Sequence, residues 1–366
     1  MFFTVERASL LEAVSKLSRV VGAKTSMPIL EGILISAEQG KATLIAYNLE
    51  MGMKKEIYAN CKTAGDIVIN ARLFADILRR LDGLQVEIET DDRLNCHIKC
   101  GDATFDIMGM AATDFPEMPS IADGDTISIE AEIMADMIKT TIFAAATNEG
   151  AKPILTGINF CTEDSNLRLV GSDGYRLAVR QEKVKETKNI EFTVSNKAVG
   201  EVLRLIDEES ENVEIQVSNR LICFKINGYS FISRLIEGEF VNYKKTLPEG
   251  HSQRVVVNTR ELINTIERVS LLISESFSTP IRCYFNELNV VFTCATSVGR
   301  ATETFNTKLE GESFEIGLNS RYLLDALRAV DTEKIEILFN GPNSGILILP
   351  PEGERFKYMI MPMRLR

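Results

Sequence analysis

A chain of 366 residues with 45% apolar and 25% charged residues has the make-up of an ordinary soluble protein, and no apolar run approaches the ~18 residues of a membrane helix. Seven cysteines, odd in number and without a framework spacing, exclude a disulfide scaffold; with no signal-like N-terminus before Glu6 and Arg7, the expected location is cytoplasmic. A net charge of −11 at pH 7 excludes a protein that is basic all over, so any contact with nucleic acid must come from how the charge is distributed.

In chain order, FFTVE from Phe2 reads as a strand and Ser9 to Val21 as a helix. ILISAEQGKATLIAYN reads as a hairpin turning near Glu38-Gln39-Gly40, GDIVINA as a strand, and Arg72 to Leu81 as a second helix. LQVEIET and LNCHIKC then alternate with period two. The same order returns: TISIEAEI, a helix through Phe143, LRLVGSD, IEFTVS, a helix through Ile206, VEIQVS and LICFKIN. It returns once more as RVVVNT, a helix to Leu272, LNVVFTCA, FEIGLN, a helix to Val330, IEILFN and GILILP, with a phenylalanine late in each copy (Phe105, Phe231, Phe356). Polar, turn-rich SIADGDT (Ser120–Thr126) and LPEGHSQ (Leu247–Gln253) separate the copies. The expected class is α+β, with three repeated domains at 1–122, 127–248 and 253–366, each of two helices packed on antiparallel sheet.

Local motifs support the triplication. Pro28-Ile29-Leu30 recurs as Pro153-Ile154-Leu155 and as Pro280-Ile281-Arg282. The first helices place Lys16, Lys139 and Arg268 at one position. The second helices, RLFADILR from Arg72, KAVGEVLR from Lys197 and RYLLDALR from Arg321, share a pattern of basic, three residues, acidic, one residue, Leu, Arg. Seven residues are close to two helical turns, so Arg72/Arg79, Lys197/Arg204 and Arg321/Arg328 share faces, with Arg80 beside the first pair, while Leu78, Leu203 and Leu327 turn toward the sheet. One such stripe is an ordinary solvated face. Three in an acidic protein point to a repeated cationic surface without aromatic interleaving, suited to backbone contact rather than base readout. Size adds a constraint. Domains of ~120 residues are roughly 35 Å across, so three in a ring leave no hole, whereas six leave one of roughly 30 Å, wide enough for a duplex. Closing six requires a head-to-tail homodimer.

With VVGAKTSMPILEGILI, DFPEMP, GSDGYRLAV, EGEFVNYKKTLP and the terminal YMIMPMRLR occurring in that order, the chain resembles, over its whole length, the β sliding clamp of bacterial replicative DNA polymerase. The resemblance implies a ring-shaped homodimer around duplex DNA, loaded by an ATP-driven clamp loader, tethering replicative and repair polymerases, with no cofactor and no active site. It implies a groove for short QLxLF-like peptides at Leu155, Ser172, Gly174, Tyr175, Arg176, Leu177, Val241, Lys245, Thr246, Met359, Met361, Pro362, Met363 and Arg364. Apolar Leu, Met and Val with a Tyr suit a Leu/Phe anchor, and Arg176 and Arg364 suit a peptide carbonyl or glutamine. Positions matching DNA contacts are Lys24, Arg72, Lys197 and the loop 148–153, where Lys152 supplies the cation; the repeated basic positions complete the candidate DNA face. A dimer seam would bring Phe105 and Ile107 against Leu272 and Ile273. Val241, Thr246 and the extra Arg366 depart from the common pattern and bear on peptide preference.

Two rivals stand beside this reading. An enzyme or metal site has little to build on: Cys96-His97-x-x-Cys100 puts His97 on the face opposite both thiols, and Asp173 in Gly171-Ser172-Asp173-Gly174 is expected to cap a turn. A protein-interaction scaffold would use the same groove without encircling DNA, but gives no reason for three cationic stripes.

Overall fold

The computed structural model describes residues 1–366 apart from 23–26, 149, 186–187, 249, 274–278 and 366. The first repeat contains β1 (Phe2–Glu6), α1 (Arg7–Leu17), β2 (Gly32–Glu38), β3 (Lys41–Tyr47), β4 (Met51–Tyr58), β5 (Asn60–Thr63), β6 (Gly65–Asn70), α2 (Ala71–Arg80), β7 (Gln85–Thr90), β8 (Asn95–Cys100) and β9 (Ala103–Met108). The second contains β10 (Asp125–Glu130), α3 (Ala131–Lys139), β11 (Gly157–Glu163), β12 (Asn166–Ser172), β13 (Arg176–Lys183), β14 (Glu191–Ser195), α4 (Asn196–Leu205), β15 (Asn212–Val217), β16 (Leu221–Ile226) and β17 (Tyr229–Arg234). The third contains β18 (Gln253–Asn258), α5 (Thr259–Ser270), β19 (Ile281–Phe285), β20 (Asn289–Ala295), β21 (Arg300–Asn306), β22 (Leu309–Glu310), β23 (Phe314–Leu318), α6 (Ser320–Arg328), β24 (Lys334–Phe339), β25 (Ile346–Leu349) and β26 (Phe356–Ile360). Neighbouring strands pair antiparallel, as β10 does with β15, β12 with β13 and β18 with β24, so the class is α+β.

Asparagine marks where strand gives way to helix. Asn70, Asn258 and Asn319 each accept a hydrogen bond from a first-turn N–H (of Leu73, Glu261, and both Arg321 and Tyr322), satisfying donors the helix leaves unpaired. Two helices stop about a full turn earlier than their apolar periodicity suggests. α1 ends at Leu17 rather than Val21, where the Ser18 hydroxyl donates back to the Val14 carbonyl at 2.6 Å. α3 ends at Lys139 rather than Phe143, where the Thr140 and Thr141 hydroxyls donate to the Asp136 and Met137 carbonyls, each at 2.7 Å; a 3-10 turn, Ile142–Ala144, follows. The Pro-Ile motif is not equivalent in its third copy: Pro28–Glu31 and Pro153–Thr156 form 3-10 turns, whereas Ile281 already begins β19.

The chain divides into two compact units, 1–132 with 201–235 and 133–200 with 236–366, two of the three divisions falling inside α3 and α4 and the third just after β17. Within the first unit, α1 packs on α2; the sheets have orders β5-β1-β7-β8-β9 and β10-β15-β16-β17-β4-β3-β2-β6. Within the second, α5 packs on α6, and the orders are β14-β11-β12-β13-β26-β25-β24-β18-β22 and β21-β20-β19-β23. Sheets that cross from one repeat to the next explain why two units replace three. β4 pairs with β17, Met53 opposite Phe231, and β13 pairs with β26, Ala178 opposite Tyr358. The late aromatic equivalent to Phe231 is therefore Tyr358 rather than Phe356; a shift of two residues keeps it on the same face of the strand. β9 and β21 each end their sheets with one edge unpaired among the described residues.

The second pairing buries charge. Arg180 is 1% exposed, with Nη2 at 2.8 Å from Asp136 Oδ2 and 2.6 Å from Glu182 Oε1, while Nη1 donates to the Arg355 carbonyl at 3.1 Å. Removing one partner of such a group leaves the other charges uncompensated, so Arg180→Ala is expected to cost about 3 kcal/mol in urea unfolding, and Arg180→Met less because it keeps the packing.

Candidate peptide groove and cationic helix faces

The groove positions gather in the second unit around a four-residue turn between β12 and β13. Asp173 Oδ1 accepts from the Tyr175 and Arg176 N–H groups at 2.9 Å each, and Ser172 Oγ donates to the Arg176 carbonyl at 2.8 Å. Gly174 takes φ +90°, a conformation that side chains oppose. The last strand lies alongside: Leu177 faces Met359, the Met361 N–H donates to the Tyr175 carbonyl at 2.8 Å, and the Met363 N–H donates to the Gly317 carbonyl at 2.8 Å. Leu177 and Met359 join Val170, Val179 and Leu347 in an apolar floor against which Phe240, Tyr243 and Leu247 pack. Above it stand Tyr175, 65% exposed, Val241, 40%, and Met361, 39%. Leu155 and Ser172 are buried, Pro362 and Met363 half-buried, and Lys245, Thr246 and Arg364 exposed.

Arg176 takes a different part from the one its position suggests. Its side chain is 10% exposed, Nε lies 3.0 Å from Asp173 Oδ2 and Nη1 2.6 Å from Asp325 Oδ2, and the guanidinium lies over the Phe143 and Tyr322 rings. It holds the turn against α6, whereas Arg364 and Lys245 are exposed. Sequence reasoning missed Val170, Val179, Leu347, Phe240 and Tyr243. Val170 and Val179 alternate with Ser172 and Leu177 along their strands, which was the available signal; Leu347, Phe240 and Tyr243 are brought to them only by the fold. At the corresponding place in the first unit Met118 lies over Gly52: a Cβ at position 52 would sit 2.6 Å from Met118 Sδ.

The cations fall into two groups. Arg72, Lys139, Lys152 and Lys197 are exposed and have no ion-pair partner among the described residues; Arg80 is exposed and donates to the Asp76 carbonyl, and Arg321 is exposed at the start of α6. Arg79 pairs with Asp76, Arg204 with Glu201, Arg268 with Glu303 and Arg328 with Glu267. Lys16 is not on an open stripe: 15% exposed, it contacts Glu12 at 2.9 Å and Asp207 at 3.0 Å and lies over the Tyr229 ring. Burial alone would lower its pKa, but those two carboxylates outweigh it and raise it. Lys24 lies outside the described residues. Leu78 and Leu327 are fully buried, whereas Leu203 is half-buried.

Phe105 and Ile107 are half-buried on β9, and Leu272 and Ile273 are half-buried just after α5. On the same edge His97 Nδ1 contacts Asp106 Oδ1. Cys96 and Cys100 are buried on the other face, the Cys96 thiol pushed up to about 12 by burial, and no group of metal-ligating side chains occurs among the described residues. The Asp106 hydrogen bond raises the His97 pKa. An NMR titration is expected to place this imidazole above the ordinary ~6.5 and to return it there in Asp106→Asn. Whatever stability the pair contributes is present below the unfolded histidine's titration and lost as pH rises through the folded value.

Comparison with known proteins agrees along the whole chain. Residues 1–119 match the DNA polymerase III beta subunit N-terminal domain, 128–242 its central domain and 244–364 its C-terminal domain. The Bacillus subtilis beta sliding clamp is 29% identical, with all of both chains covered, and that of Staphylococcus epidermidis is 27% identical over all of this chain and 99% of its own. Among solved structures, a DNA polymerase III beta subunit from Eubacterium rectale is 30% identical with a TM-score of 0.95, and the Bacillus subtilis clamp is 28% identical with 0.96, each covering both chains fully. No helix among the described residues is long and apolar enough to cross a membrane.

Proposed function

The chain belongs to the DNA polymerase III beta subunit family, the β sliding clamps, and on that premise we propose that two copies close head to tail into a ring around duplex DNA. It is a processivity factor rather than an enzyme. The observation that carries the ring is the repeated seam. β4 takes β17 from the next repeat and β13 takes β26, whereas β21, the third strand of that kind, and β9, the first of the other kind, are unpaired edges among the described residues. A second copy supplies what each of these two edges lacks, and closing both seams pairs β9 and β21 as β17 and β26 are paired within the chain.

The three domains are 1–122, 127–248 and 253–366, and the helices face the channel. Arg72, Lys139, Lys152 and Lys197 then meet phosphates as exposed cations, while the carboxylate-paired arginines are weaker contributors; few and fast-exchanging contacts suit sliding. The groove around Leu177, Met359 and Met361 takes the short QLxLF-like peptides of a clamp loader, replicative polymerase and repair proteins, in the cytoplasm. Closed-circular DNA carrying the loaded protein tests this. Retention in moderate salt until the circle is linearised is the expected result, and equal retention on linear DNA, or none on either, would contradict encirclement. The second outcome would leave the groove as a scaffold's peptide site.

A further inference from the structure

The two internal seams give a residue-level register for the seam between copies, which rests on the ring proposal above. The hairpins β3–β4, β12–β13 and β20–β21 close with Tyr47 opposite Gly52, Ser172 opposite Leu177 and Ala295 opposite Arg300, so Gly52, Leu177 and Arg300 are equivalent. Tyr229 and Ala103 likewise follow equivalent two-residue turns, which makes Ile232 and Asp106 equivalent. Inside the chain, Ile232 faces Gly52 and Met359 faces Leu177, all buried. By the same register, Asp106 of one copy faces Arg300 of the other, Phe105 faces Ala301 and Thr104 faces Thr302.

Burial supports this register independently. On β9, Ala103, Phe105 and Ile107 are half-buried while Thr104, Asp106 and Met108 are exposed; on β21, Ala301 and Glu303 are half-buried while Arg300, Thr302 and Thr304 are exposed. Inward residues meet inward and outward meet outward, and a slip of one residue would reverse every one of them. Two residues beyond Asp106, Met108, 70% exposed, comes opposite Val298, 81% exposed. Arg300 has no ion-pair partner among the described residues, and Asp106 engages His97 through Oδ1 alone.

We infer that Asp106 and Arg300 form a cross-copy ion pair that selects a second copy of this chain, in this register, as the occupant of the open edges. The position that is apolar in both permanent seams is charged in the one that must open. Pairing of β9 with β9 or β21 with β21 sets acid against acid or base against base, which disfavours those contacts. Charge at the position filled by Leu177 and Met359 also denies this seam an apolar peptide floor. The exchange of apolar contact for charge makes the seam weaken with salt.

The test uses full-length chains carrying Asp106→Arg or Arg300→Asp, with masses followed by light scattering over a concentration series. Each single variant alone is expected to dimerise at least roughly tenfold more weakly, having two like-charge contacts per ring. Mixed together they form a heterodimer in which one seam regains an opposite-charge pair with its signs reversed and the other keeps the native pair, close to wild-type affinity. Recovery in the mixture shows that both chains are folded. Wild-type dimers with single variants that dimerise equally well, or a mixture no tighter than its components, would overturn the ion pair and leave the ring intact. A wild type that stays monomeric would overturn the ring and the pair together.

Discussion

A chain carrying Tyr175→Ala and Met361→Ala is expected to bind a QLxLF-like peptide roughly 100-fold more weakly, a loss of about 3 kcal/mol, while its thermal stability and mass stay those of the wild type. Both side chains stand exposed over the floor made by Leu177, Met359 and Leu347, so truncation removes area that a peptide anchor would cover and opens no cavity in the folded protein. Leu177→Ala with Met363→Ala removes floor and wall and is expected to abolish binding with the dimer intact. Leu177 is only 3% exposed, however, so that pair also lowers stability. Isothermal titration with one synthetic peptide separates the cases. Unchanged affinity in Tyr175→Ala/Met361→Ala would place the peptide elsewhere, and loss of the dimer would show that these residues serve assembly.

Reversing Arg72, Lys139 and Lys197 to Glu is expected to abolish retention on closed-circular DNA and to flatten the salt dependence of whatever binding remains. Each phosphate contact contributes about 0.9 to the slope of log affinity against log salt, and three positions in two copies give up to about six such contacts. The three side chains are exposed without ion-pair partners among the described residues, so folding should be unaffected. Reversing Arg204 and Arg328 is the instructive comparison. Each already lies beside a carboxylate, Glu201 or Glu267, so a smaller change in slope is expected. An equal effect from both sets would mean that the carboxylates release their arginines on DNA.

Much of the fold was legible because it rests on local patterning repeated three times: strand alternation, and apolar faces at helical spacing. Helix ends were less legible. The hydroxyls of Ser18, Thr140 and Thr141 compete for main-chain carbonyls that periodicity does not reveal. The joining of β4 to β17 and β13 to β26 was hidden for a different reason, since pairing between residues far apart in sequence leaves no local trace. That pairing decides how the chain divides into units and where edges stay open. At the candidate groove, sequence and resemblance named residues that the fold gathers around one turn, but residue type could not show that Arg176 is committed to Asp173 and Asp325. Nor could it show that Lys16 is drawn in between Glu12 and Asp207. A cation's availability depends on its neighbours in space.

The claim on which the rest depends is that the open edges of β9 and β21 close on a second copy. Light scattering on the purified chain at micromolar concentration measures this directly. The account predicts a mass twice the 40.8 kDa of one chain. A mass of one chain across the whole concentration range would contradict it.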